Sequence, residues 1–406
     1  MAGIGHGNEH RHEHGNANDN GTRPRTGTGT GTGHTAQDPR HARWRRRLHR
    51  TVQAHVQTWR PYTLAHPALV GVAGASTAGA SGRPGTLALA AGAPGLGWLA
   101  GHYLGDYFDR HLDAIAKPQR PIPSGRLSPE AALAGGVVCA AGSALILAAV
   151  DWRTLLLFAL AMAGIVAYSR ICKGRGISGN LVRGALTALA FVVGTMLARP
   201  DPPWRALLPA LIFLLHDTSS NLVGTIRDVD GDRAGGYLSV PVRHGVDAAA
   251  RLALALYAGA IAVGAVCAVL LPMAHRSGYC VLFVVAAGIG AASFAPLLRQ
   301  TRAVTEAAAG PRPRTQPHTQ TPTRTPAQTQ EVALRAHKVL VVERLVLTAA
   351  VIAAGTGART VLLLLVPVLL FSVVTQRAMR SRHELPPQPS PAGPATPGTE
   401  RKAYQP

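Results

Sequence analysis

Runs of about 20 apolar residues recur along this chain, and they constrain its fold more than any other feature. "LALAAGAPGLGWLAGHYLG" and "LALALYAGAIAVGAVCAVLLPM" each reach the ~20 residues that a helix needs to cross a hydrocarbon core about 30 Å thick. Apolar stretches bounded by charge, Gly or Pro predict spans at 62–80, 85–105, 130–150, 153–170, 180–198, 205–224, 247–271, 279–298, 334–356 and 360–376. Backbone groups in lipid must be paired within the segment, and no alternating strand pattern accompanies the runs, so the spans read as helices rather than barrel strands. The expected fold class is all-α, a polytopic membrane bundle of nine or ten transmembrane helices.

Between the spans the chain is basic, with 41 Lys and Arg against 20 Asp and Glu. That contrast with a 47% hydrophobic composition excludes both a disordered chain and an ordinary soluble domain. Lys and Arg gather in one set of connections: 40–50, the stretch from 105, "SRICKGRG", 227–243, 299–335 and "RAMRSR". The opposite set carries one or two each, so the basic set is expected to be cytoplasmic. An integral protein of the cell membrane is expected, its basic excess explained by this orientation and by anionic lipid. No nucleic-acid partner is expected, since no folded basic domain is evident. Cys139, Cys172, Cys267 and Cys280 form no CxxC pair and read as small core residues.

Domain boundaries follow from composition. Residues 1–50 read as a disordered His/Gly/Arg-rich tail, 51–300 as the core membrane domain and 301–330 as a Pro/Thr-rich cytoplasmic linker. Residues 331–380 read as C-terminal transmembrane helices and 381–406 as a second disordered tail. Such tails bury too little apolar area to offset chain entropy; "HGNEHRHEHG" could bind a divalent metal through neutral imidazoles, with a weak, adventitious site the favoured reading.

Two polar clusters carry chemistry. "GDYFDRHLDAIAKPQRPIPSGRLS", residues 105–128, places Asp106, Asp109 and Asp113 ahead of Lys117, Arg120 and Arg126. Residues 216–245 set Asn221, Thr225, Asp228 and Asp232 at steps of four, three and four, the spacing of one helix face. Asp230 points elsewhere. Four spans, an even number, separate the clusters, so both emerge on the same membrane face. Opposed carboxylates repel unless a cation lies between them, and hard oxygen ligands with open positions suit Mg²⁺ shared with phosphate. Lys173, Arg175, Arg227, Arg233 and Arg243 complete a cage of acids for metal and cations for anionic oxygens, which describes a diphosphate site. A single DxxxD is more often a solvated helix end. Two on one face, each flanked by Lys and Arg, favour a metal and anion site.

These residues resemble a known pattern. The first cluster is similar to the NDxxDxxxD motif, followed by RPIPSG, of the UbiA family of intramembrane prenyltransferases. "RDVDGDRAGGYLSVPVRHG" resembles the family's second motif, "TWRPYTLAHP" around Arg60 its opening, and "YSRICKGRGISGNLVRG" its Tyr, Lys and Gly-Asn segment. The resemblance covers roughly 55–300. It implies a bundle of about nine helices that binds a prenyl diphosphate through Mg²⁺ and transfers the prenyl chain to an acceptor, commonly aromatic. Asp109, Asp113, Asp228 and Asp232 would hold the metals, with Asp106 filling in. Lys117, Arg120 and Lys173 would contact diphosphate oxygens. Arg60, Tyr168, Asn180, Arg183 and Asn221 complete the expected substrate-binding set. Gly105 stands where the family has asparagine, and Thr225 where related sequences often carry an acid.

His102 or His216 could orient an acceptor, although a lone helix-face histidine is more often a packing residue. His337, Glu343 and Arg344 read as a structural set able to pair with one another. Two rivals remain: an intramembrane terpene cyclase using the same metal cage without an acceptor, and, less favoured, a transporter, whose charges normally meet near the membrane midplane.

Overall fold

A computed structural model describes residues 39–309 and 326–380; the expectations for 1–38, the middle of the linker and the tail after 380 lie outside the described residues. The elements are helices almost throughout: α1 (Pro39–Trp59), α2 (Pro61–Thr77), α3 (Pro84–Phe108), α4 (Arg110–Ala116), α5 (Pro129–Val150), α6 (Thr154–Ala167), α7 (Ser178–Ala198), α8 (Pro209–Arg227), α9 (Val229–Ala234), α10 (Val240–His244), α11 (Val246–Leu270), α12 (Arg276–Ala309), α13 (Pro326–Thr356) and α14 (Ala358–Thr375). Of the described residues, those up to Arg46 form one unit and those from Arg47 a second.

Local chemistry sets many of the starts. Prolines open α2, α3, α5 and α8, where the missing N–H is one the first turn leaves unpaired anyway. The Ser128 hydroxyl accepts from the Ala131 N–H at 3.1 Å and caps α5, with Glu130 in its first turn, favourable against the helix dipole.

All ten apolar runs are helical. Among the described residues, eight helices are long and apolar enough, by length and composition, to cross a membrane. α2 and α3 fall outside that count, because α2 is only 17 residues long and the glycines, Pro94 and His102 of α3 dilute its apolar content. Two boundaries differ from expectation. Helix extends into 39–50, where Trp44, Leu48 and Val52 recur at helical spacing among the arginines, and α12 and α13 reach into both ends of 301–330.

α13 lies near the centre, packed on α12, α2, α8 and α14; α7 packs on α8, α2 and α3, and α3 on α5. The largest apolar core gathers Val70, Phe191, Phe213, Tyr279, Leu345 and Ile352 from these helices. A belt of exposed apolar side chains covers the outside, including Val138 of α5, Leu156 of α6, Val284 of α12 and Leu363 of α14. In water such a surface would aggregate; facing lipid it costs nothing, since lipid tails are as apolar as leucine.

Candidate active site

Both acidic clusters sit where a membrane helix gives way to a short one. α3 ends at Phe108, Asp109 occupies the junction and α4 follows; α8 ends at Arg227, Asp228 occupies the junction and α9 follows. Asp106 thus lies on α3 and Asp113 on α4, with the helix interrupted between them at Asp109. Backbone bonding still continues through the junctions, from the Asp109 N–H to Gly105 and from the Asp228 N–H to Gly224, so the acids keep a common side. Beyond α4, the chain folds back at Pro121, whose carbonyl accepts from Arg126 and Leu127. This compact turn is the structural content of the RPIPSG stretch, and it buries Arg120 and Ile122.

A two-residue parallel ladder ties the loops together. β1 (Arg175–Gly176) pairs with β2 (Leu238–Ser239), and the Leu238 N–H donates to Gly174 at 3.0 Å. Lys173 and Asp232, on segments far apart in sequence, are thereby held beside one another's loops.

The clusters converge as the even span count requires. Lys117 of the first contacts Asp228 of the second at 3.1 Å. Lys173 donates to Asp109 at 2.6 Å, Arg120 to Asp113 at 2.7 Å, and Arg227 grips Asp228 at 2.7 and 2.9 Å. Arg60 donates to Asp106 at 2.5 Å and lies 2.7 Å from His102. Its backbone is left-handed, with φ 47°, a conformation that costs a side-chain-bearing residue about 1–2 kcal/mol; the buried pairing with Asp106 and His102 holds it there.

Electrostatics differ among the acids. Burial opposes the charge of Asp113, but Arg120, then Lys173 and Lys117, outweigh it and hold its carboxyl below the usual range. Burial likewise opposes the charge of Lys173, yet Asp109 raises it above the ordinary lysine value. Asp232 goes the other way: burial, then the like charge of Asp228, push its carboxyl up to about 6.

One cavity of about 260 Å³ collects these groups. Asp106, Asp109, Asp228, Asp232, Lys117, Arg120 and Lys173 line its polar end, and Leu147, Leu157, Phe158, Met162, Ile165 and Leu186 line an apolar wall. Arg60, Tyr168, Asn180, Arg183 and Asn221 also line it, with the Asn221 amide donating to Asn180 at 3.0 Å. Asp113 does not; it acts on the cavity through Arg120. The expected cation cage is narrower than its sequence version. Arg227 joins it, whereas Arg126 is spent on Gln57 and the Gln119 carbonyl, Arg233 on exposed Asp230, and Arg175 and Arg243 stand outside the lining.

Among the described residues no three of His, Cys, Asp or Glu converge as a closed metal cage. The donor set fits a different arrangement. Burial, then the like charge of Asp228, holds the Asp232 carboxyl at about 6, so a divalent cation beside it would favour its charged form, and Mg²⁺ typically takes only one or two carboxylates and completes its shell with water and phosphate.

The deeper polar residues correct one reading. Glu343 and Arg344 of α13 each reach a partner on α8: Glu343 meets His216 at 2.5 Å, and Arg344 donates to Asp217 at 2.9 Å, which also accepts from Thr187. His337, Arg344 and Asp217 line the cavity and were missed as site residues, as was Trp98. The signal available was that α13 carries ionisable residues at membrane depth, which default to functional positions.

An amphiphile with an anionic head and an apolar tail is what such a cavity suits, and an intramembrane enzyme acting on one is the class that fold and site together define. Residues 64–310 match the UbiA prenyltransferase family. The chain belongs to that family and is a prenyltransferase. It is similar to digeranylgeranylglyceryl phosphate synthases from Halobacterium salinarum, 34% identical over half of this chain and 73% of that protein, and from Ignicoccus hospitalis, 31% identical over 64% of this chain and 86% of that protein. Its fold resembles an apo UbiA homologue from Aeropyrum pernix, with TM-score 0.53 at 18% identity over 71% of this chain and 97% of the other. It also resembles a UbiA homologue from Archaeoglobus fulgidus bound to DMAPP and Mg²⁺, with TM-score 0.50 at 14% identity over 70% and 97%.

Proposed function

We propose that this enzyme transfers an isoprenyl chain from a prenyl diphosphate to a small nucleophilic acceptor within the membrane. The observation that carries this reading is the two-ended cavity, with acids and cations at one end and an apolar wall at the other. Asp109, Asp228 and Asp232 would hold Mg²⁺, with Asp106 and Asp113 beside them. Bound there, Mg²⁺ supplies Lewis-acid stabilisation to the departing diphosphate. Lys117, Arg120, Lys173 and Arg227 take the diphosphate oxygens, and their acid partners keep them charged and aimed before the donor arrives. The prenyl chain lies along Leu157, Phe158 and Ile165, where water is excluded from the allylic centre. The acceptor atom bonds to the allylic carbon, the carbon–oxygen bond to diphosphate breaks with its electron pair, and the acceptor loses a proton. The Mg²⁺ and DMAPP of the A. fulgidus homologue support the donor half of this reading.

For the acceptor, the family resemblance points to an aromatic ring, while the names of the curated relatives point to a glyceryl phosphate. The excess of Lys and Arg on the site-bearing loops supports an active site facing the cytoplasm of the cell membrane. Incubating membranes that contain the protein with prenyl diphosphates of several lengths, Mg²⁺ and either class of acceptor tests the proposal by mass spectrometry. A prenylated acceptor formed only with Mg²⁺ is expected. A cyclic hydrocarbon or alcohol formed without any acceptor would replace transfer by cyclisation.

A further inference from the structure

One face of α5 packs on α3 and another turns outward. A Cβ built on Gly135 would lie 2.9 Å from the Tyr103 ring, and one on Gly136 would lie 3.0 Å from Leu104, so the glycine pair marks the side that α3 approaches. Glu130, Leu133, Ala134, Val137 and Val138 recur at steps of three, one, three and one, which gathers them on the opposite side. Tyr107, near the end of α3, and Arg110, at the start of α4, join them, and together with Pro129 these residues line a groove of about 600 Å³. It shares no lining residue with the reaction cavity.

The groove has two parts. Its α5 wall is apolar and open, with Leu133, Val137 and Val138 38, 56 and 71% exposed on a helix apolar enough to span a membrane. At the end where α5 begins, it carries one cation and one anion. Arg110 donates to the Tyr107 carbonyl at 2.7 Å, and its guanidinium carbon lies 4.6 Å from the centre of the Tyr107 ring. That stacking fixes the guanidinium and leaves further N–H donors on its edge. Glu130 is exposed in the first turn of α5. Among the described residues neither Arg110 nor Glu130 forms an ion pair, with each other or with another side chain.

We propose that this groove binds a phospholipid whose headgroup carries a phosphate and a primary amine, with the phosphate on Arg110, the ammonium on Glu130 and an acyl chain along Leu133, Val137 and Val138. Charge complementarity selects this occupant. A lipid with negative charge alone answers Arg110 but is repelled by Glu130. A quaternary ammonium has no N–H to give a carboxylate, and the ring that could cradle it, Tyr107, already carries Arg110. A primary ammonium donates to the carboxylate while the guanidinium donates to phosphate, and both bonds are charge-assisted. Tyr107 suits the same depth, since tyrosine gathers where headgroups meet the hydrocarbon.

The test uses full-length protein in nanodiscs made of equal parts phosphatidylethanolamine, phosphatidylcholine and phosphatidylglycerol with identical acyl chains. Native mass spectrometry identifies and counts the lipids that stay bound after release. Phosphatidylethanolamine should be retained about fivefold or more over either competitor. Glu130→Gln should remove its lead over phosphatidylcholine, Glu130→Lys should pass the lead to phosphatidylglycerol, and Arg110→Gln should lower its retention to that of the other two. Glu331→Gln, which changes an exposed carboxylate elsewhere, should keep the wild-type order. Equal retention of all three lipids by wild-type protein would overturn the proposal. So would a lead for phosphatidylcholine or phosphatidylglycerol, or a phosphatidylethanolamine preference that persists in both Glu130→Gln and Arg110→Gln.

Discussion

Every acid at the polar end of the cavity except Asp232 leans on a cation, and the consequences of removing one follow from that pairing. Lys173 on Asp109 at 2.6 Å and Lys117 on Asp228 at 3.1 Å hold opposite charges ready for a metal and for phosphate oxygens. Replacing Asp109 or Asp228 with Ala removes a ligand and leaves its lysine unanswered, so turnover in membranes should fall about 10³-fold while membrane insertion, read by protease protection, stays unchanged. A wild-type rate in either variant would end the metal assignment. Asp232 sets the pH dependence. Its carboxyl is raised to about 6, so below that pH a proton must be displaced before a divalent ion can bind. Mg²⁺ affinity should therefore drop about tenfold per unit as pH falls below 6 and level off above it, and a Mg²⁺ titration by calorimetry across that range checks this. Asp232→Asn should flatten the profile. The same shift means that the metal-free fold binds its proton more tightly than the unfolded chain, so this residue's contribution to stability declines as pH rises from the ordinary carboxylate value to about 6.

Helices meet at glycines that nothing in the hydropathy pattern singles out. A Cβ built on Gly194 of α7 would lie 2.0 Å from the Gly71 carbonyl oxygen of α2, and one on Gly74 would lie 2.1 Å from the Phe191 oxygen. Small residues let membrane helices approach at this distance. Gly194→Val should push α2 from α7 and cost about 1–3 kcal/mol, seen as a lower midpoint of thermal unfolding in detergent. Gly288→Ala, where no atom lies within 4 Å of the added carbon, should leave that midpoint unmoved. The existence of each long helix was legible because a 20-residue apolar run has one solution in lipid. The even span count and the shared face of Asp228 and Asp232 were legible for the same local reasons. What could not be read was long-range or cooperative: the break at Asp109, where the propensities of "YFDRHL" alone favour continued helix, and the β1–β2 ladder, two residues long on each side and held by the packing of distant loops.

At the scale of the molecule, α13 is the element whose role the sequence hid most. The family match ends at residue 310, and α13 begins at Pro326. Yet 78% of its most apolar stretch is buried, against 6% for α6, and it sends His337 and Arg344 to the cavity. Periodicity tells which face of a helix is polar but not which helix that face meets, so Glu343 and Arg344 looked self-sufficient when their partners are His216 and Asp217 on α8. α13 thus completes the inner wall of the site, and the covalent link to it matters less than its presence. Cutting the chain at a protease site placed within 310–325 should leave prenyl transfer close to the uncut rate, because the packing on α2, α8 and α12 holds α13 in place. Deleting 326–380 should abolish activity and donor binding together. That deletion leaves His216 and Asp217 buried without their partners, a loss of about 3–5 kcal/mol for each buried pair broken. Co-expression of 326–380 as a separate fragment should recover activity. A deletion that kept donor affinity would show instead that the cavity closes without α13, and Arg344 and His337 would then lose their place in the site.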